Sequence, residues 1–185
     1  IADGSFVCID HNASPPTPET PYDKELVTLN VDLNKTYIAY GDKNDRAAKV
    51  ALQETADIRS RASGIAPMAE RAITKSKSNA YKNESWDMVD ATISGDMVIS
   101  ELRAQEALPE ELEGKSDEEI KKVVEEKTEE RTKIQEQIKV LGEKRKSWLE
   151  EKMKENKDQP TTLDKAIIDS VRKQAGKKGF EFDNK

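Results

Sequence analysis

The most regular hydrophobic pattern in the chain runs from Ser116 to Asn156. Steps of four and three residues join Ile120, Val124, Lys127, Arg131, Ile134, Ile138, Leu141, Arg145, Trp148 and Lys152 into a single seam, the period of about 3.5 residues that keeps one helix stripe facing a partner. Ser116-Asp-Glu-Glu119 precedes it as a capping box, in which hydroxyl and carboxylate satisfy each other's exposed amides. One long charged helix over 116–156 is therefore predicted. Lys127, Arg131 and Arg145 interrupt the seam and are expected to lay their methylene stems on apolar surface with the charge left in water. Such interruptions favour a short helical hairpin or a projecting arm over a long dimeric rod. After Pro160, Leu163, Ile167, Ile168, Val171 and Ala175 make the apolar face expected to pack against it. The candidate packing or interaction residues are Ile120, Val124, Ile134, Ile138, Leu141 and Trp148.

The same periodicity predicts shorter helices upstream. Tyr22 to Leu33 places Leu26, Leu29 and Leu33 on one face, and Thr36 to Tyr40 reads as a brief extended turn before Gly41. Lys43 to Ser63 is rich in good helix formers, with Ala47, Val50, Ala51, Ile58 and Ala62 spaced for one apolar face. Gly64 separates it from Ile65 to Ser76, whose Ile65, Met68, Ala69, Ala72 and Ile73 repeat the pattern, so the two are expected to form an antiparallel pair. Ser85 is the expected N-cap of a short helix bearing Trp86, Met88, Val89 and Ile93 and closed by Gly95. Met97 to Leu102 and Leu108 to Leu112 read as short helical or turn segments, Pro109 suiting a first helical position.

Residues Ser5 to Ile9 are different: a β-prone run bounded by turn residues. A buried strand must pair its backbone, and no second strand offers itself. The chain opens on Ile1 and is expected to be a piece of something larger, with this run the last strand of a missing domain. Pro15, Pro16, Pro18 and Pro21 among Ser and Thr then make an extended linker. The expected organisation is a strand remnant over 1–12, a Pro-rich linker over 13–21, and a helical accessory domain over 22–185. The fold class is mainly α.

Composition narrows the function more than the fold. With 35% of residues hydrophobic and 37% charged, the core must be small and built from narrow helical stripes. A net charge of −6 argues against a broad basic face for nucleic acid or anionic lipid. No run approaches the roughly 18 apolar residues of a membrane span. A single cysteine, Cys8, excludes an internal disulfide framework and a multi-cysteine zinc cluster.

Candidate chemistry is thin. Cys8, Asp10 and His11 bring a thiol, a carboxylate and an imidazole together, as a nucleophilic enzyme or redox sensor would need. In a strand, however, Cys8 and Asp10 share one face and His11 points to the other. An ordinary strand cysteine is the better reading. Asp42-Lys-Asn-Asp45 resembles the start of a calcium loop, but Ala47 and Gln53 stand where the glycine and bidentate acid belong, so these carboxylates read as helix N-terminal residues. Asn12, Asn34 and Asn83 head short glycosylation-type patterns that carry little weight alone. No catalytic residue, cofactor site or metal site is assigned, and a protein partner is expected with the chain itself a monomer. The alternatives are a mechanical spacer and the Cys8-based enzyme or sensor.

Several phrases carry a family resemblance. Thr20-Pro-Tyr-Asp-Lys-Glu-Leu26, Leu33-Asn-Lys-Thr-Tyr-Ile-Ala-Tyr-Gly41, Trp86-Asp-Met-Val-Asp-Ala91, Leu108-Pro-Glu-Glu-Leu-Glu-Gly-Lys115, Ile168-Asp-Ser-Val-Arg-Lys-Gln-Ala175 and Lys178-Gly-Phe180 resemble the region that follows the von Willebrand factor A (vWA) domain in a group of bacterial proteins. The resemblance implies that Ser5 to Ile9 ends such a domain and that the residues from Tyr22 form its helical, non-enzymatic companion, in a bacterial extracytoplasmic setting. It implies a divalent metal only in the absent vWA domain: that family's Asp-x-Ser-x-Ser run is not met here, since Asp3-Gly-Ser5 continues to Phe6 and Val7.

Overall fold

The computed structural model describes residues 17–77, 81–95, 98–155, 171–176 and 178. The Ser5–Ile9 run with Cys8, Asp10 and His11, the linker residues before Thr17, Met97, and the Leu163–Ile168 part of the expected partner helix lie outside the described residues. Contacts divide the chain into two units, one spanning Pro18–Glu150 and the other comprising Ile1–Thr17 and Glu151–Lys185. In the second, residues 171–176 are helical and Val171 is exposed.

The fold is mainly helical, as the periodicity predicts. In order come α1 (Asp23–Asn34), α2 (Lys43–Ala62), α3 (Ile65–Lys75), α4 (Met88–Ser94), α5 (Ile99–Ala104), a 3₁₀ turn at Glu110–Leu112, and the long α6 (Asp117–Glu155). Among the described residues no strand forms. The extended Thr36–Tyr40 segment makes one antiparallel bridge, Ala39 to Asp87, flanked by Tyr40 N–H to Trp86 O at 2.8 Å and Met88 N–H to Ile38 O at 2.9 Å.

The capping box of α6 is formed in both directions: the Ser116 amide donates to Glu119 at 2.8 Å and the Glu119 amide to the Ser116 hydroxyl at 3.2 Å. α4 starts elsewhere than predicted. Asp87, not Ser85, is its N-cap, its carboxylate accepting the Asp90 amide at 3.1 Å, and Ile93 is exposed rather than part of the apolar face. Both residue types cap well; Asp87 wins because its carboxylate also takes the Ile38 amide and, as described below, a buried guanidinium. Gly95 closes α4 with φ of 83°, the left-handed geometry glycine accepts without a Cβ clash. Pro109 stands just before the 3₁₀ turn rather than inside a first helical turn.

The α6 seam serves two separate cores. Ile120 and Val124 pack with Met88, Val89, Leu102 and Leu112, whereas Ile134, Ile138 and Leu141 pack with Leu26, Leu33, Ala69 and Ala72 of α1 and α3. Gly142 extends this second contact: a Cβ there would lie 3.4 Å from the Ile73 side chain of α3. Arg131 falls between the two cores and Arg145 beyond the second. The expectation that these arginines keep their charges in water is corrected here, since both are at most 3% exposed.

Arg131 donates to Thr36 Oγ1 at 2.9 Å, Thr36 O at 2.8 Å, Asp87 at 2.5 Å and Asp90 at 2.6 Å. Its guanidinium also lies 4.3 Å from the centre of the Tyr37 ring, which stacks on Trp86 at 5.5 Å. Arg145 donates to Asp23 at 2.7 Å and to Glu70. Asp23 is held in turn by the Thr20 amide at 2.9 Å and hydroxyl at 2.7 Å, so Thr20, inside the expected linker, is buried against the first residue of α1. Buried pairs of this kind add little net stability against an apolar substitute, yet leaving one partner alone is costly, so they fix which face of α6 meets the body.

Candidate interaction groove

α2 is oriented opposite to expectation. Its predicted apolar face points outward: Ala47, Ala51 and Ala62 are exposed, as are Val50 and Ile58, Ile58 at 67%. The reason lies in a polar network on its other side. Asp57, the one buried residue of α2, accepts from Asn30 at 2.9 Å, Asn34 at 2.7 Å and Lys75 at 3.3 Å, and from Arg71. Turning Asp57 to solvent would strand Lys75 and Asn30, which are themselves buried. An unpaired buried charge costs several kcal/mol, more than the roughly 1.5–3 kcal/mol gained by burying one aliphatic side chain. The polar side therefore wins.

Burial lowers the Lys75 amine to about 8, against the opposing pull of Asp57. Burial also pushes Asp57 up, but hydrogen bonds from Asn34, Arg71 and Asn30 outweigh it and leave the carboxyl below its ordinary value. For Asp87, burial prevails over Arg131 and the carboxyl is raised. These groups are shut in: Lys75 is 1% exposed and donates to Asn34 as well as Asp57.

The outward turn of α2 opens a groove of about 640 Å³ beside it. Ile38 and Ala39 line it together with Ala47, Val50 and Ala51 from α2, and Pro109 and Leu112 with Val123 of α6 form the facing wall. Lys43 and Glu110 join the two sides by an exposed ion pair at 2.7 Å, and Arg46 donates to the Leu108 carbonyl. Asp42 caps α2 by accepting the Asn44 amide at 2.8 Å and the Asp45 amide at 3.3 Å. The Asp42 carboxylate thus holds the helix N-terminus, with Asp45 in the first turn, as read from the sequence. The groove's lining is more apolar than polar but includes charged side chains such as Arg46, Glu54 and Lys127, so it suits an amphipathic protein segment.

The residues marked from sequence lie elsewhere. Ile120, Val124, Ile134, Ile138 and Leu141 are buried inside the two cores, and Trp148 is half-buried. Asn34 and Asn83 make internal hydrogen bonds or are buried. Among the described residues no cluster of histidine, cysteine and acidic side chains is arranged to hold a metal, and no helix is long and apolar enough to cross a membrane. The groove was hidden in the sequence because its walls come from four separated segments. Its one local signal was an Ala-rich helix too poor in large apolar residues to need a core.

Comparison with protein-family models, with curated proteins and with solved structures gives no match.

Proposed function

We propose that this chain is a non-enzymatic protein-interaction module, the helical companion of a vWA-like domain, which binds a protein partner through the groove beside α2. The observation that carries the reading is the outward apolar face of α2, continuous with a groove that the Pro18–Glu150 unit leaves uncovered. Exposed apolar surface that is contiguous, rather than scattered, marks contact sites. The closed Lys75–Asp57 network supports a structural role for Lys75, whose buried amine is shut off from any substrate. The vWA association rests on the sequence resemblance.

A photo-crosslinking amino acid at Val50 or Val123, both in the groove, tests the proposal in cells that make the protein. A discrete protein adduct at these positions is expected, and none at Val140, which is exposed on α6 outside the groove lining. Identical adducts at all three positions, or none at any, would overturn it.

A further inference from the structure

The outer face of α2 says more about the partner than that one exists. At 100° per residue, Ala47, Ala48, Ala51, Thr55, Ile58 and Ala62 fall within about 60° of a single line, and every one of them is exposed. The opposite line carries Arg46, Gln53, Ala56, Asp57 and Ser60, all wholly or partly buried, with Lys49 the exposed residue among them. This is an amphipathic helix mounted inside out. Its small residues let a second helix approach to the roughly 8 Å lower limit of interaxial distance, and its 20 residues span about 30 Å.

Charge selects among occupants. Arg59 and Arg61 flank the stripe on either side of Ile58 and Ala62, the positions from which charges choose partners in paired helices. Both are exposed, and among the described residues neither has a carboxylate partner. Lys43, at the other end, is already neutralised by Glu110. α2 carries five basic residues against three acidic, one of the latter the buried Asp57, within a chain of net charge −6. A second copy would bring the same basic surplus to the contact. Resting on the interaction reading above, we infer that the outer face of α2 docks an amphipathic helix of another protein whose apolar seam is flanked by Glu or Asp.

The probe is a fluorescein-labelled 21-residue peptide with Leu and Ala along the seam and Glu beside it, titrated against the full chain by anisotropy; its counterpart carries Lys in place of Glu. The acidic peptide is expected to bind at least tenfold more tightly at low salt, with the preference narrowing as salt screens the charges. Arg59→Glu with Arg61→Glu reverses the preference, and Ile58→Asp weakens the acidic peptide at least tenfold while the helical circular dichroism stays unchanged. Equal binding of the two peptides, no binding of either, or binding indifferent to Ile58→Asp would overturn the inference. So would a concentration-dependent dimer in sedimentation that Ile58→Asp dissolves, which would give the face to a second copy. A crosslinked adduct at Val50 without the charge preference would leave the interaction reading standing and remove only the acidic helix.

Discussion

Replacing Arg131 by Met keeps the stem that lies between the two cores and deletes the guanidinium. What remains is Asp87, 0% exposed, with only the Ile38 amide at 2.8 Å and the Asp90 amide at 3.1 Å as donors. The carboxyl then either stays charged without its counter-ion or takes a proton. Protonation sets the ceiling: raising a group from the ordinary 3.8 to pH 7 costs about 1.4 kcal/mol per unit, about 4 kcal/mol in all. Breaking a buried pair by removing one partner is expected to cost about 3–5 kcal/mol, so the two routes agree. With a urea dependence of about 2 kcal/mol per molar, the midpoint should fall by roughly 1.5–2 M, read by circular dichroism at unchanged slope. The sign of the pH dependence is fixed as well. A carboxyl raised in the folded state contributes stability below its unfolded value and loses it as pH rises through the folded one, so the Arg131→Met deficit should shrink as pH falls towards 4. A deficit under about 1 kcal/mol at pH 7, or one independent of pH, would refute the view that Arg131 compensates Asp87.

Lys75 should impose a pH dependence of its own. Its amine is lowered to about 8 in the folded protein from 10.5, so its contribution is complete above the unfolded value and is lost as pH falls through about 8; stability should rise between these limits in the native chain, and Lys75→Met should flatten that rise in parallel urea titrations. Gly142→Ala should stabilise α6 by about 0.5–1 kcal/mol, because alanine favours the helix and its methyl meets Ile73 at an ordinary contact distance; a loss in thermal denaturation would show that α3 and α6 are closer than that. Ser116→Ala should cost about 1 kcal/mol by breaking the capping box, with a smaller loss for Glu119→Gln, which keeps the reciprocal bond.

The parts of the fold visible in the sequence were those set by local rules. α6 and its cap followed from a seam of fixed period and a four-residue signature, and α1, α2 and α3 from apolar spacing punctuated by Gly41 and Gly64. Periodicity tells which residues share a face, not whether that face turns inward. For α6 both agree; for α2 they part, because Asp57 finds Asn30, Asn34, Arg71 and Lys75 on two other helices. The interruptions in the α6 seam were likewise visible, but their use was not: Arg131 meets Thr36 and Asp87 across wide sequence separations. The Thr20–Asp23 contact was legible in principle, being a Thr followed three residues later by an acid, though it sits at the end of a proline-rich stretch that reads as linker.

The central claim is that α2 presents its apolar side to the outside, and Ile58→Asp tests it most directly. Because Ile58 is 67% exposed, the substitution should leave the unfolding free energy of the full chain, read from its urea titration, within about 0.5 kcal/mol of the parent, the usual range for a surface change. If Ile58 instead faces the core, as periodicity alone suggests, an unpaired carboxylate would be buried. The same measurement would then show a loss of about 3 kcal/mol or more, contradicting the account.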